Sequence, residues 1–200
     1  MAGRLLVIAT PIGNLSDASP RMVEAMRRCS RIFCEDTRHT MKLLRHFGIE
    51  VSLESLHDYN EDAKLGRVMA ELEAGSVVGI VSDAGTPLLA DPGFPVVREA
   101  RARGIEVEPV PGPFAGAVAL SASGIAPVPF AFHGFAPHRE GDRLEFYRGI
   151  AAGGMTAIVF ESPQRLVASL ENALTVLGDI DVAVARELTK LHEEILRGTI

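Results

Sequence analysis

The sequence predicts an α/β protein of two domains, the first built around a five-stranded parallel sheet. Three observations predict it. Over the first 110 residues, short apolar runs alternate with segments of helical periodicity, the pattern of successive βαβ units. The residues after each apolar run are rich in Gly, Pro, Asp and Thr, whereas the opposite connections (RRCSR, HFGIE, EAGSV, ARGIE) are short and plain. A small-residue stretch with proline at both ends, PGPFAGAVALSASGIAPVP, then separates this half from a second set of elements.

The elements follow in order. Residues 5–9 form a β-rich run. Ser19 is an N-cap with Pro20 at the first helical position, opening a helix that reaches Cys29. Residues 31–34 are a second strand; Thr37 can cap a helix running to Phe47, which Gly48 stops. Residues 51–56 are the third strand, and Asn60 can cap a helix ending near Gly75. The fourth strand is 77–81, a helix covers 95–103, and the fifth strand is 105–110. Beyond a short helix in the small-residue stretch, strands are expected near 130–135, 156–161, 181–186 and 193–197. A long helix lies at 163–177 and a less regular one at 142–152. The expected domains are 1–116, with the parallel sheet, and 117–200, a mixed α/β domain.

Composition narrows the function classes. The chain is 47% hydrophobic and 23% charged, ordinary for a globular protein. It has no apolar run long enough to span a membrane and no signal-peptide pattern, so a cytoplasmic address is expected. Cys29 and Cys34 do not form a CxxC pair, and buried reduced thiols are expected. The six His lack metal-site spacing, so no metal is expected. A net charge of −6 argues against a protein that coats nucleic acid non-specifically.

The five strand-end segments are TPIGNL, EDTRHT, HDYNE, SDAGTPLLADPG and PGPFAG. They fall at the carboxyl ends of parallel strands, where open α/β sheets bind ligands. There is no GxGxxG fingerprint and no phosphate loop. Walls of Pro and Gly with exposed backbone groups suit a neutral or cationic nucleoside-like ligand better than a triphosphate.

These residues carry a resemblance. ATPIGNL, EDTRHT, VSDAGTPLLADPGFP, PGPFA, LSASG, ESPQR and ARELTKLHEEILRGT occur in order along essentially the whole chain. The set resembles the family of 16S ribosomal RNA 2′-O-ribose methyltransferases, within the tetrapyrrole-methylase superfamily. The resemblance implies a two-domain tetrapyrrole-methylase-like fold with the ligand in the interdomain cleft, and a homodimer. It implies S-adenosylmethionine as donor, S-adenosylhomocysteine as product, and methylation of the ribose 2′-OH of a cytidine of the small ribosomal subunit (cytidine 1402 in the usual numbering). The chain departs from the pattern at Phe114, where a small residue is usual after PGP, and at Gln164, where His is usual after ESP. It also stops at Ile200, short of the family's further helix and strand, so the second domain is expected to be truncated.

By the same resemblance, Pro11 and Ile12 line the donor site. Asp83, Gly85 and Thr86 hold its ribose or methionine part, and Phe114 and Ala115 continue that wall. Phe160, Ala185 and Arg186 hold its adenine. The competing reading of Asp83 is an Asx-turn or a helix cap, with the ligand role favoured, and Phe160 could equally be plain core. A base near the acceptor hydroxyl could be Asp36, Glu35, His57, Glu61, Glu161 or Glu187. Asp36, with Arg38 beside it, and Glu187 lead as catalytic candidates. The competing reading is structural ion pairing, Asp36 with Arg38 and Glu187 with Arg186 or Lys190.

RNA binding needs cations. Arg38, Lys42 and Arg45 form one stripe of the helix after EDT, flanked by His39 and His46, opposite Thr40, Leu43, Leu44 and Phe47. Arg38, His39, Lys42 and Arg45 are the RNA-binding candidates; an ordinary solvated helix face is the alternative. Arg139, Arg143 and Arg148 form a weaker second basic group. The rival functions are a small-molecule methylase acting on a tetrapyrrole and a non-catalytic nucleoside-sensing module.

Overall fold

The structure is a computed structural model that describes residues 3–57 and 61–200. It divides into two compact units, Met1–Phe114 and Ala115–Ile200.

In unit 1 the strands β1 (Arg4–Ile8), β2 (Arg31–Cys34), β3 (Ser52–Ser55), β4 (Val77–Val81) and β5 (Glu106–Val110) form one sheet of order β3-β2-β4-β1-β5. Every neighbouring pair is parallel. The helices α1 (Pro20–Arg28), α2 (Thr37–His46), α3 (Glu61–Glu73) and α4 (Phe94–Ala102) connect them. Strand periodicity sorts the core into two layers, because successive side chains leave opposite faces. Leu6, Ile8 and Ile32 pack with Met22 and Met26 of α1 and with Leu43 and Leu44 of α2. Leu5, Phe33 and Val78 pack with Val68, Met69 and Leu72 of α3 and with Val96 and Ala100 of α4. Helices therefore cover both faces, as the alternating pattern predicts.

Local chemistry sets the helix ends. Ser19 Oγ accepts from the Met22 N–H at 3.0 Å, with Pro20 in the first turn, as the sequence indicates. For α2 the cap is Asp36, not Thr37: its carboxylate accepts from the Arg38 N–H at 2.8 Å. Both residue types can cap, and the extended backbone at Asp36 (φ −117°, ψ 112°) decides between them. The expected cap at Asn60 lies outside the described residues. Gly48 follows α2 with φ 59°, a conformation that favours glycine.

Unit 2 contains α5 (Ala115–Ser123), β6 (Phe130–Phe135), α6 (Glu140–Gly153), β7 (Thr156–Phe160), α7 (Leu166–Leu177), β8 (Asp181–Arg186) and β9 (Glu194–Thr199). Its strands run in mixed directions, as expected, but as two separate ladders: β6 and β7 are parallel, β8 and β9 antiparallel. The helix expected from 163 begins at Leu166, because residues 163–165 form a turn closed by the Arg165 N–H on the Ser162 carbonyl at 3.1 Å. Helices α6 and α7 meet through a buried polar seam. Arg143 Nε donates to Asn172 Oδ1 at 2.7 Å, and the Tyr147 and Ser169 hydroxyls lie 2.7 Å apart.

Candidate functional site

In unit 1 the strand-end loops are knitted into one pad. After β1, the Thr10 N–H donates to the Gly85 carbonyl at 2.8 Å, and the Gly85 N–H returns a bond to Thr10 at 3.0 Å. This two-way bridge joins the TPIGNL loop to the SDAGT loop. After β4, Asp83 Oδ1 accepts from the Asp36 N–H at 3.0 Å, which attaches the EDTRHT loop. Thr86 Oγ1 donates to the Pro113 carbonyl at 3.0 Å, which attaches the PGPF loop. These bonds join four of the five strand-end segments, and Glu61 of the fifth, HDYNE, accepts from the Gly93 N–H of the SDAGTPLLADPG segment.

Gly85 stands at the centre with φ 87°. A Cβ there would lie 3.2 Å from Ile12 Cγ2 and 3.4 Å from the Pro113 carbonyl oxygen. A Cβ on Gly112 would approach the Ala9 Cβ to 2.7 Å. The loops pack backbone on backbone, and glycine permits the approach. Pro11 is buried, Ile12 half-buried, and Asp83, Thr86 and Phe114 are half-buried. Of the expected donor-site residues in this unit, Pro11, Ile12, Asp83, Gly85, Thr86 and Phe114 all belong to these joined loops.

The acceptor-side candidates begin at the same edge. Asp36 caps α2 and also binds the Arg38 guanidinium at 2.7 Å. The guanidinium, and then the Arg38 N–H, hold its carboxyl down at about 2. A carboxylate that acidic is a poor proton acceptor at neutral pH. The Asp36–Arg38 contact is the geometry of the ion-pair alternative. Arg38 itself is 87% exposed. His39, Lys42, Arg45 and His46 are exposed too, while Thr40, Leu43 and Leu44 are buried. The basic stripe and the core stripe fall where the periodicity puts them.

Glu61 has another job. Its Oε2 accepts from the Gly93 N–H at 2.9 Å and so fixes the end of the loop after β4. That loop also holds Leu88 and Ala90 at φ 72° and 68°, conformations unfavourable for residues with a Cβ. The Glu61–Gly93 bond spans 32 residues, and no local spacing signals it.

In unit 2, Phe160 ends β7 with edge-on contacts to Phe132 and Phe135, centroids 4.8 and 5.5 Å away. Glu161 follows with its side chain 8% exposed, paired to Arg165 at 2.7 Å. Its Oε1 also accepts from the Ser162 N–H at 2.7 Å, while its buried Oε2 has no hydrogen-bond partner. Ala185 and Arg186 end β8, with Arg186 ion-paired to Glu194 across the ladder. Glu187, at φ 51°, pairs with Lys190 at 3.0 Å, which resolves the alternative between Lys190 and Arg186. Ala115 opens α5. The second basic group dissolves: Arg143 is 6% exposed and serves the α6–α7 seam, and Arg148 pairs with Glu145. Arg165, the last residue of the ESPQR segment, is not among the site candidates read from the sequence; besides Glu161 it donates to the Ala136 carbonyl at 3.1 Å, tying the loop after β6 to the one after β7.

Both thiols are free and buried. Burial pushes Cys29 up to about 12, and Cys34, also buried, is raised for the same reason. Among the described residues no group of three or more His, Cys, Asp or Glu is arranged to hold a metal ion. No helix among them is long and apolar enough to cross a membrane.

A parallel sheet of order 3-2-4-1-5 with its loops joined at the strand ends, followed by a second α/β unit, places the chain among the open-sheet α/β proteins, a class whose ligands bind at the carboxyl ends of the strands. Residues 4–200 match the model of the tetrapyrrole (corrin/porphyrin) methylases, and the chain belongs to that family. Similar curated proteins share the name ribosomal RNA small subunit methyltransferase I. The protein from Xylella fastidiosa is 47% identical over 99% of this chain and 73% of its own length. That from Escherichia coli O157:H7 is 46% identical over 96% and 68%, and that from Thermotoga maritima 40% identical over 99% and 89%. Among solved structures, a diphthine synthase superposes with a TM-score of 0.72 at 15% identity, covering 97% of this chain and 81% of its own. The uroporphyrin-III-C-methyltransferase of Thermus thermophilus gives 0.66 at 17% identity, covering 98% and 85%. At such identities these two speak for the fold alone.

Proposed function

We propose that the chain methylates small-subunit ribosomal RNA, transferring a methyl group from S-adenosylmethionine to the ribose 2′-OH of a cytidine, cytidine 1402 in the usual numbering. The observation that carries the reading is the pad of Thr10, Asp83, Gly85 and Thr86 lying directly beside the start of the basic helix α2 through the Asp83–Asp36 bond. The names of relatives at 40–47% identity support the RNA substrate.

The pad fits the donor chemically. Its half-buried carboxylate, Asp83, and half-buried hydroxyl, Thr86, suit a cationic, hydroxyl-bearing ligand. When bound, S-adenosylmethionine supplies an electrophilic methyl on a sulfonium. Asp83, Gly85 and Thr86 bind the ribose or methionine part, and Pro11, Ile12, Phe114 and Ala115 exclude water from it. Rigid loops contribute chiefly by orientation, since an in-line displacement depends on alignment. Arg38 binds the acceptor's phosphate and Asp36 keeps it in place, while His39, Lys42 and Arg45 extend the phosphate-binding face. Glu187 is the candidate to accept the hydroxyl proton.

The test is incubation of labelled S-adenosylmethionine with small ribosomal subunits lacking the modification, followed by nuclease digestion and mass spectrometry. Label on one ribose 2′-oxygen is expected. Label on a base, or transfer only to a tetrapyrrole, would overturn the reading, and donor binding without transfer would favour a sensing module.

A further inference from the structure

We propose that the carboxyl ends of β6 and β7 form a further ligand site, one that takes a single unpaired nucleotide of RNA: the base stacks on Phe135 and the adjoining phosphate meets Arg139. The choice of RNA as ligand rests on the methylation reading above; the site itself rests on the geometry of unit 2.

The site begins with a displaced ring. From Phe132 to Phe135, β6 advances three residues while β7 advances two, from Ile158 to Phe160. The extra residue falls where Gly134 stands at φ 69°, a conformation that favours glycine. In an unbroken strand, residues three apart point to opposite faces. The bulge cancels that alternation, and Phe132 and Phe135 both meet Phe160 edge-on, with centroids 4.8 and 5.5 Å away. Bulges re-aim side chains in this way and are common beside functional sites. Phe135 is buttressed by Phe160 and yet 57% exposed. It stands at the carboxyl end of a parallel strand pair, the edge at which α/β sheets bind ligands.

Two arginines hold the surrounding loops. Arg165 donates to the Ala136 carbonyl at 3.1 Å and to Ser162 Oγ at 3.0 Å, and pairs with Glu161. Arg143, buried in the α6–α7 seam, donates to the carbonyls of Pro137 and His138, both at 3.3 Å. The Ala136 N–H adds a bond to the Phe160 carbonyl at 3.1 Å. Loops fixed before a ligand arrives lose little freedom when it binds.

Unit 2 has seven arginines and lysines. Among the described residues, six are committed: Arg143 and Arg165 as above, Arg148 to Glu145, Arg186 to Glu194, Lys190 to Glu187 and Arg197 to Asp181. Arg139 is the exception. It is exposed, it opens α6 without a side-chain capping bond, and no ion pair among the described residues takes it up. Exposed His138 stands beside it. Glu140 and Asp142 follow in the first turn of α6, so the local charge supports one phosphate and not the track of a duplex. An open aromatic ring near one uncommitted guanidinium matches one base and one phosphate. A base offers its face only when it is out of a helix, so the ligand is single-stranded.

The experiment is a titration, without donor, of a short single-stranded RNA carrying a fluorescent cytosine analogue. The parent protein is compared with Phe135→Ala, Phe135→Tyr and Arg139→Ala, and the same RNA annealed into a duplex is the control. Binding to the parent should quench the analogue. Phe135→Ala should abolish the quenching and weaken binding roughly 5- to 100-fold, and Phe135→Tyr, which keeps the ring, should retain both. Arg139→Ala should lower the slope of log affinity against log salt by about 0.7, the value of one phosphate on a single strand. Duplex binding should not depend on Phe135. Unchanged affinity and quenching in Phe135→Ala would overturn the site, whatever the methylation assay shows, and would leave the ring to a protein partner. Loss of affinity in Phe135→Tyr equal to that in Phe135→Ala, equal losses for duplex and single strand, or no binding of the single strand at all would overturn it too. Since no methyl is transferred in this assay, binding that depends on Phe135 upholds the site even where methylation fails.

Discussion

Gly85 is the residue on which the pad turns. Gly85→Ala puts a methyl 3.2 Å from Ile12 Cγ2 on a backbone at φ 87°, and should cost roughly 1–3 kcal/mol of stability. Calorimetry of donor binding should show a loss beyond what the melting curve explains. Asp83→Asn keeps an oxygen to accept the Asp36 N–H but removes the charge. Its melting temperature should stay near that of the parent, while donor affinity falls about tenfold or more; equal affinity would remove Asp83 from the site. Asp36 offers a pH test. Its folded-state value of about 2 lies below the ordinary carboxylate value. Its stabilising contribution is therefore complete above about 3.9 and fades as pH falls towards 2. Arg38→Ala should raise the Asp36 midpoint, read by carboxyl NMR, back towards about 3.9. Cys29, pushed up to about 12, should resist alkylation at pH 8 until the chain is unfolded.

At the scale of the element, α2 separates its two duties cleanly by face. Replacing Lys42 and Arg45 by Ala should leave the melting temperature within a degree or two. It should weaken binding to small subunits and lower the slope of log affinity against log salt by about 1 for each phosphate no longer neutralised. Leu44→Ala, on the buried face, should instead cost about 2–5 kcal/mol. Helix α2 also shows what a sequence conveys. Its two stripes follow from 3.6-residue periodicity and are legible without coordinates. Which of Asp36 and Thr37 caps it is not, because adjacent cap-forming residues differ only in backbone angles. In α6, Arg143 looks like a surface cation until Asn172, 29 positions away, is seen to receive it. Strands β2, β4, β6 and β8 lie within their expected limits because apolar runs bounded by turn residues are local signals. The Glu61–Gly93 and Arg165–Ala136 bonds are long-range and have none.

Across the whole molecule the two units differ in how completely they bury their apolar strands. Unit 1 has core layers on both faces of its sheet, and unit 2 has one small cluster. Native-state hydrogen exchange on this chain should therefore find unit 2 opening first, with β1 and β4 amides the slowest. The order β3-β2-β4-β1-β5 has a further consequence, in time. Strand β1 is synthesised first, but its partners are β4, whose Val77 pairs with Arg4, and β5, whose Glu106 also pairs with Arg4. At about 5–20 residues per second, the apolar RLLVI segment waits on the order of 5–20 s for its second neighbour to be translated. During that interval the segment is a ready target for chaperones, and the sheet closes around its oldest strand only when its newest has emerged.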